Sequence, residues 1–228
     1  MKRGISILAI VTALLLSFAL YEALIGAPTE RTMGDVQRIF YYHVPSAWTA
    51  FLLFLINFVA SVVYLTRRNV KADILALISA EVGVVFCTVV LITGPIWAKP
   101  VWGIWWAAGD IRLTTTLVLW LIYVSYLVLR RLSTSGQTPT IAAVVAIVGA
   151  LDVPLVYFSI WFFRTQHPSP VIGGGGSLDP RMARVLLINW AAFLCLAWLV
   201  CWTRYRLEVA KREVEEAQAL ESLLEGSR

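Results

Sequence analysis

Six long apolar stretches constrain the fold of this chain more than any other feature of its sequence. A helix needs about 20 mostly apolar residues to cross the hydrocarbon layer of a membrane. The stretches cover residues 5–25, 48–66, 74–93, 113–129, 141–163 and 185–202. Because a backbone in lipid must satisfy its own hydrogen bonds, long apolar runs without strand-like alternation predict helices. We therefore expect an all-α, polytopic membrane protein with six transmembrane helices.

Composition supports this fold class. Charged residues make up 14% of the chain, against roughly a quarter in ordinary soluble domains. The first apolar stretch follows Lys2 and Arg3 and in this respect resembles a signal peptide. It is longer than a signal-peptide core, and residues 25–27 are only a weak candidate for a cleavage site. We expect it to be a retained helix.

The basic residues predict the orientation of the helices, because cytoplasmic loops are enriched in lysine and arginine. With both termini inside, 12 of the 19 basic residues fall in cytoplasmic segments and 7 in outer ones. We expect both termini to be cytoplasmic, and this topology accounts for the net charge of +5 without a nucleic-acid partner. Residues 1–202 are then the transmembrane domain. We expect residues 203–228 to be a charged cytoplasmic tail. This tail is predicted to be helical because residues 204–224 contain no glycine or proline.

The predicted outer connectors contain both histidines of the chain. His43 lies in the connector 26–47 and His167 in the connector 164–184. The connector between them, 94–112, carries four of the ten tryptophans. An interfacial aromatic belt is the simplest alternative, but a belt forms on both faces of the membrane. A shared ligand site and a belt both remain open at this point.

Haem fits each part of such a shared site. Imidazole is a common axial ligand of haem iron, and indole rings offer flat apolar area to a porphyrin. The two propionates require cationic partners, for which Arg112, Arg38 and Arg164 are candidates. Zinc fits less well, because two histidines without outer cysteines or clustered carboxylates provide too few ligands.

Three motifs on the predicted outer side resemble those of the cytochrome c maturation protein C family, the haem exporter protein C type. They are YYHVPSAW (residues 41–48), WGIWWAAGDIRLT (102–114) and FRTQHPSP (163–170). The resemblance extends from about Gly34 to Trp202. It implies an inner-membrane helical bundle that binds haem b as cargo at the extracytoplasmic surface, and a transfer protein rather than an enzyme. It also implies delivery to a membrane-tethered haem chaperone, assisted by an ABC-type ATPase and its membrane subunits.

By the same resemblance, His43 and His167 would be the axial ligands of the haem iron. The loop that presents haem would contain Trp102, Gly103, Trp105, Trp106 and Asp110, with Arg112 as a propionate contact. One departure stands out, because residues 107–109 place one more residue before Asp110 than the family pattern has, and the usual third tryptophan is missing. Asp110 also precedes a helix, where aspartate is a favoured N-cap. Capping and direct haem contact both remain open for this residue.

Other polar features lie outside these motifs. Glu81 and Asp152 fall inside predicted spans, where ionisable groups are candidates for function, although we favour structural packing. The three cysteines also lie in spans and are expected to be packing residues. Residues 173–177 form a GGGGS segment that we expect to be a natural flexible loop.

Two other classes of function remain open from the sequence. A cytochrome b-like electron-transfer subunit would place histidine pairs within its helices. A solute permease would have broken helices around a midplane site.

Overall fold

A computed structural model describes residues 2–163, 165–168 and 178–226 of the chain. The helices are α1 (Lys2–Tyr21), α2 (Phe40–Arg67), α3 (Val70–Trp102), α4 (Ile111–Leu132), α5 (Thr138–Ala150), α6 (Asp152–Phe162) and α7 (Pro180–Gly226). A π-helical turn, Glu22–Gly26, continues α1, and a 3-10 helix, Asp35–Ile39, leads into α2. Over the described ranges the chain forms no strand and has six helical stretches long and apolar enough to cross a membrane. The predicted all-α fold with six spans is confirmed.

All three predicted outer connectors are too long, the third because α7 already begins at Pro180. Helix α2 contains His43 and Pro45, and α3 continues through Pro95 and Pro100 as far as Trp102. A proline in a helix removes one backbone hydrogen bond and bends the helix, but here the helix continues on both sides of it. Gly103 then ends α3 with a φ of 77°, a left-handed conformation that glycine adopts without steric cost.

The fifth span is two helices rather than one. Pro154 has no N–H to donate to the carbonyl of Ala150, and α5 ends at that residue. Helix α5 packs against α2 and α4, whereas α6 packs mainly against α4. The two halves of the span therefore have different neighbours.

The core of the bundle is built where α2, α3 and α4 meet. Phe54 of α2 stacks on Tyr123 of α4, with ring centres 3.8 Å apart and an interplanar angle of 8°. On α3, a Cβ atom at Gly83 would lie only 2.7 Å from Phe54 Cε1. The glycine allows α2 and α3 to approach closely.

We call the end of the bundle with His43 and Gly103 the histidine end. Ion pairs join three helices at the opposite end. The Asp73 carboxylate of α3 accepts hydrogen bonds from Arg130 of α4, at 2.5 and 2.9 Å, and from Arg212 of α7, at 3.0 Å. Arg204 of α7 pairs with Glu81 at 2.9 Å.

Helix α7 has 47 residues, or about 70 Å at 1.5 Å per residue. It passes residue 202 without a break, and beyond that residue Tyr205 and Val209 still pack against the core. The division into a transmembrane domain and a tail at this residue stays a prediction.

Candidate functional site

His43 lies in the second turn of α2, and residues of α3 hold its ring. The side chain is buried, and its Nδ1 atom is 2.8 Å from the Thr93 hydroxyl. Trp97, one helical turn further along α3, meets the imidazole edge to face with ring centres 5.9 Å apart. His43 is therefore a helical residue with a fixed ring, and not the loop residue that the sequence predicted.

His167 lies in the short segment after α6, and Asp110 holds that segment in place. One carboxylate oxygen of Asp110 accepts hydrogen bonds from the Thr165 hydroxyl and, at 2.9 Å, from the Gln166 amide. The amide of His167 in turn donates to the Thr165 hydroxyl at 3.0 Å. Burial raises the pKa of Asp110, but the hydrogen bonds from Thr165 and the backbone amides outweigh it and keep the pKa below its usual value.

Asp110 is also the N-cap of α4. Its other oxygen accepts from the amides of Arg112 and Leu113 at 3.0 and 3.2 Å, as favoured N-cap residues do. The carboxylate thus joins the start of α4 to the segment that carries His167. This indicates a positioning role.

Both electrostatics and hydrogen bonding leave one nitrogen of His167 unprotonated. Desolvation and the positive charge of Arg112 lower the pKa of His167 to about 4, so the ring is neutral at pH 7. Its Nδ1 atom lies 3.1 Å from the carbonyl oxygen of Pro168. A carbonyl can only accept, so Nδ1 carries the hydrogen and Nε2 has a free lone pair.

The two imidazole rings are close enough to bind one metal ion between them. Their centres are 6.4 Å apart and their planes differ by 33°. Metal–imidazole bonds of about 2.0–2.1 Å place the centres of two opposed rings about 6 Å apart. The separation of His43 and His167 therefore matches that of two ligands on opposite sides of one metal ion.

An apolar cleft adjoins the two histidines. His43, His167, Trp102, Trp106 and Arg112 line it, so five of the eight predicted site residues come together there. Aromatic and aliphatic side chains complete the walls, including Val44, Trp48, Phe51, Trp97, Leu113, Val156 and Tyr157.

Three predicted site residues do not line this cleft. Gly103 ends α3 and receives a hydrogen bond from Lys99 Nζ on its carbonyl at 2.9 Å. The Trp105 side chain points outward and is 59% exposed. Asp110 is occupied by the cap of α4 and by the His167 segment. These three residues therefore lie around the cleft and do not form its walls.

Two hydrogen-bond donors in the cleft walls lack acceptors in the part of the chain that the structure describes. They are Nη1 of Arg112 and Nε1 of Trp97, and both atoms are buried. Buried donors of this kind normally have a partner, and a guanidinium fits a carboxylate especially well. The cleft is therefore suited to a ligand with acidic oxygens.

The other two arginines proposed as propionate partners do not strengthen that assignment. Arg38 is engaged, because its guanidinium bonds to Asp35 at 3.0 Å and to the carbonyl oxygen of Ala23 at 2.9 Å. Arg164, like the GGGGS segment, lies outside the described residues. Arg112 remains as the described arginine in the cleft wall.

The extra residue before Asp110 has a local explanation. The Asp110 amide donates to the carbonyl of Ala107 at 2.9 Å, which closes a turn over residues 107–110. Gly109 has no positive φ, so the turn does not depend on its conformational freedom. The inserted residue is absorbed before α4 begins.

Thr93, Trp97 and Thr165 are site residues that were not predicted from the sequence. Thr93 and Trp97 are four residues apart and lie on one face of α3. That spacing was available in the sequence, but the helix was predicted to end at Thr93. Thr165 could not be found in this way, since its contact with Asp110 joins segments distant in the sequence.

The bundle and the cleft define a class, namely a polytopic helical membrane protein with a candidate two-histidine ligand site at one end. Comparison with known proteins identifies the family. The family model described as Heme exporter protein C (CcmC) matches residues 1–220. The chain belongs to this family, and the resemblance found in its motifs is confirmed.

Individual relatives agree with this assignment. The chain is 33% identical over 218 residues to the Heme exporter protein C of Bradyrhizobium diazoefficiens, covering 94% of this chain and 82% of that protein. It is 30% identical over 208 residues to the Heme exporter protein C of Escherichia coli K12, covering 89% and 82%. A putative cytochrome c biosynthesis ccmC-like mitochondrial protein of Marchantia polymorpha is 30% identical over 183 residues, covering 80% and 78%.

Proposed function

We propose that this protein binds haem b as cargo, with His43 and His167 as the two axial ligands of the iron. The observation that carries the proposal is the separation of 6.4 Å between two imidazole rings beside one cleft. Membership of a family named for haem export supports the same ligand. Iron ligation requires a neutral ring with an unprotonated nitrogen, and His167 fits this requirement because its Nδ1 donates to the carbonyl of Pro168.

The walls of the cleft support a porphyrin in particular. Trp102 and Trp106 offer flat apolar surface, and aromatic rings stack well on such a ligand. Arg112 Nη1 and Trp97 Nε1 have no acceptor among the described residues. The two propionates of haem would provide acceptors for these donors, with the charge of the carboxylate favouring Arg112.

We further propose that the histidine end faces away from the cytoplasm of a bacterium, in its cytoplasmic membrane. The distribution of basic residues between the two ends supports this orientation, because cytoplasmic segments are enriched in lysine and arginine. Haem would then be delivered at this surface to a membrane-tethered haem chaperone for cytochrome c maturation. An ABC-type ATPase and its membrane subunits would act as further partners.

The unequal settings of the two ligands suit transfer of the haem. His43 is held on a helix by Thr93 and Trp97, whereas His167 lies in a short segment anchored through Asp110 and Thr165. A ligand on a loop can leave the iron with less disturbance of the bundle than a ligand on a packed helix. Transfer would therefore begin with loss of the bond to His167.

Complementation tests this function in cells. Expression of the chain in a bacterium that lacks its own family member should restore c-type cytochromes, measured by haem staining of a gel. The double variant His43→Ala, His167→Ala, produced at the same level, should fail to restore them. Full restoration by the double variant would exclude the proposed roles of the histidines.

A further inference from the structure

We propose that Thr93 is a positioning residue that fixes His43 as the tautomer with hydrogen on Nδ1, so that Nε2 meets the ligand without a proton. The importance of this for haem rests on the proposed function above. The tautomer itself is a property of the ligand-free protein and can be tested without haem.

A count of hydrogens around the Thr93 hydroxyl leads to this assignment. The hydroxyl oxygen lies 2.7 Å from the carbonyl oxygen of Val89 and 2.8 Å from His43 Nδ1. Threonine in a helix commonly donates its hydroxyl hydrogen to the carbonyl four residues earlier. A hydroxyl has one hydrogen to donate. Once Val89 receives it, the oxygen can only accept from Nδ1–H, which leaves Nε2 as the unprotonated nitrogen.

The neighbours of His43 prevent its ring from turning to another orientation. A Cβ atom at Gly94 would lie 3.4 Å from His43 Cε1, so the imidazole lies directly against the backbone of α3. Trp97 packs against the same ring at 69°. His43 is also buried, with 7% of its surface exposed, so water has little access to replace the bond to Thr93. Together these contacts hold the ring with Nδ1 facing Thr93.

His167 reaches the same tautomer by a different route. Its Nδ1 atom donates to the carbonyl of Pro168, whereas His43 donates to a side-chain hydroxyl. Outer partners of this kind fix the tautomer and orientation of metal-binding histidines. The two rings would thus present equivalent Nε2 atoms, but only the tautomer of His43 depends on a hydrogen bond to a side chain, which a substitution can remove.

Nitrogen NMR of ligand-free protein labelled on histidine tests the tautomer directly. In a His167→Ala background one histidine remains, and we expect its Nδ1 to be protonated and its Nε2 to be unprotonated. Thr93→Val keeps the shape of the side chain but removes the oxygen, and we expect the Nε2–H tautomer to become populated. Thr93→Ser retains a hydroxyl and should restore the original spectrum.

Thr88 offers a matched control on the same helix. Its hydroxyl donates to the carbonyl of Val84 at 2.7 Å and accepts from Trp120 Nε1 at 2.8 Å, but it does not contact His43. Thr88→Val should leave the histidine spectrum unchanged. The proposal is overturned if His43 carries its hydrogen on Nε2 with Thr93 intact. It is also overturned if Thr93→Val leaves the Nδ1–H tautomer as it was.

Haem binding gives the second measurement. With both histidines present, Thr93→Val should weaken haem binding about 10- to 100-fold, the usual effect of losing an outer partner of a metal ligand. Thr93→Ser should recover most of the affinity, and Thr88→Val should bind as the unaltered protein does. Equal affinities for Thr93→Val and the unaltered protein would contradict the role of Thr93. Absence of haem binding by the unaltered protein would contradict the proposed function instead and leave the NMR result standing.

Discussion

The ring centres of His43 and His167 lie 6.4 Å apart, although one residue belongs to α2 and the other follows α6. Each ring has its Nδ1 atom engaged by a neighbour, by Thr93 in one case and by Pro168 in the other. Both histidines line a cleft whose walls are rich in aromatic side chains.

Replacement of Asp110 by serine should separate its two roles. Serine can cap α4, but one hydroxyl cannot also hold Thr165 and Gln166. We expect Asp110→Ser to keep the start of α4 capped and to weaken haem binding about 10-fold or more, as measured by spectrophotometric titration. Asn69 caps α3 at the opposite end. Asn69→Ala should therefore lower stability by about 1 kcal/mol with no loss of haem affinity. An unchanged affinity in Asp110→Ser would show that the carboxylate does not position His167.

Replacement of Arg112 should matter only for a ligand with free carboxylates. A hydrogen bond to a charged group contributes about 1.5–3 kcal/mol, so Arg112→Gln should weaken haem binding about 10- to 100-fold. With the dimethyl ester of haem, the variant and the unaltered protein should bind alike. Arg181→Gln removes an exposed charge from the same end and should affect neither ligand. An equal loss with haem and its ester in Arg112→Gln would contradict a propionate contact.

The pKa of His167 predicts a dependence on pH in the ligand-free protein. This pKa is lowered to about 4 from an ordinary value of 6.5, first by desolvation and then by Arg112. Between these values the unfolded segment binds a proton that the folded segment does not, so the stability of the folded segment falls as the pH falls from 6.5 to 4. In His43→Ala, which has one histidine, proton NMR should show a midpoint near pH 4. A midpoint near 6.5 in the folded protein would show that the ring is solvated.

The ion pairs at the opposite end should contribute to stability but not to binding. Asp73 is almost fully buried between Arg130 and Arg212, and removing one partner of a buried pair costs about 3–5 kcal/mol. Asp73→Asn should therefore lower the free energy of unfolding in detergent by about that amount. Glu81 and Arg204 are about one-third exposed, and Glu81→Gln should cost about 1 kcal/mol or less. Similar losses in the two variants, or an altered haem spectrum in Asp73→Asn, would contradict this assignment.

The spans were predictable from the sequence because apolar length alone identifies a transmembrane helix. Their ends were less predictable. Pro45, Pro95 and Pro100 fall in the predicted connectors, yet α2 and α3 continue through them. The fifth span shows the opposite difference. One helix was predicted there, but a break at Leu151 divides it into α5 and α6.

The candidate site was predictable in its chemistry and less so in its geometry. His43 and His167 were predictable as the two histidines of the outer connectors and Arg112 as a propionate partner, and the family motifs added Trp102 and Trp106. The roles of Thr93 and Asp110 depend on which atoms face each other across helices, as in the bonds to His43 Nδ1 and the Gln166 amide. A linear pattern does not contain that information.

The absorption spectrum of the purified protein with one equivalent of haem tests the central claim most directly. Ligation by both His43 and His167 predicts a six-coordinate, low-spin spectrum. His43→Ala and His167→Ala should each lose it, and added imidazole should restore it by filling the vacated position. A double variant, His43→Ala, His167→Ala, that retains the spectrum and haem content of the unaltered protein would contradict the account.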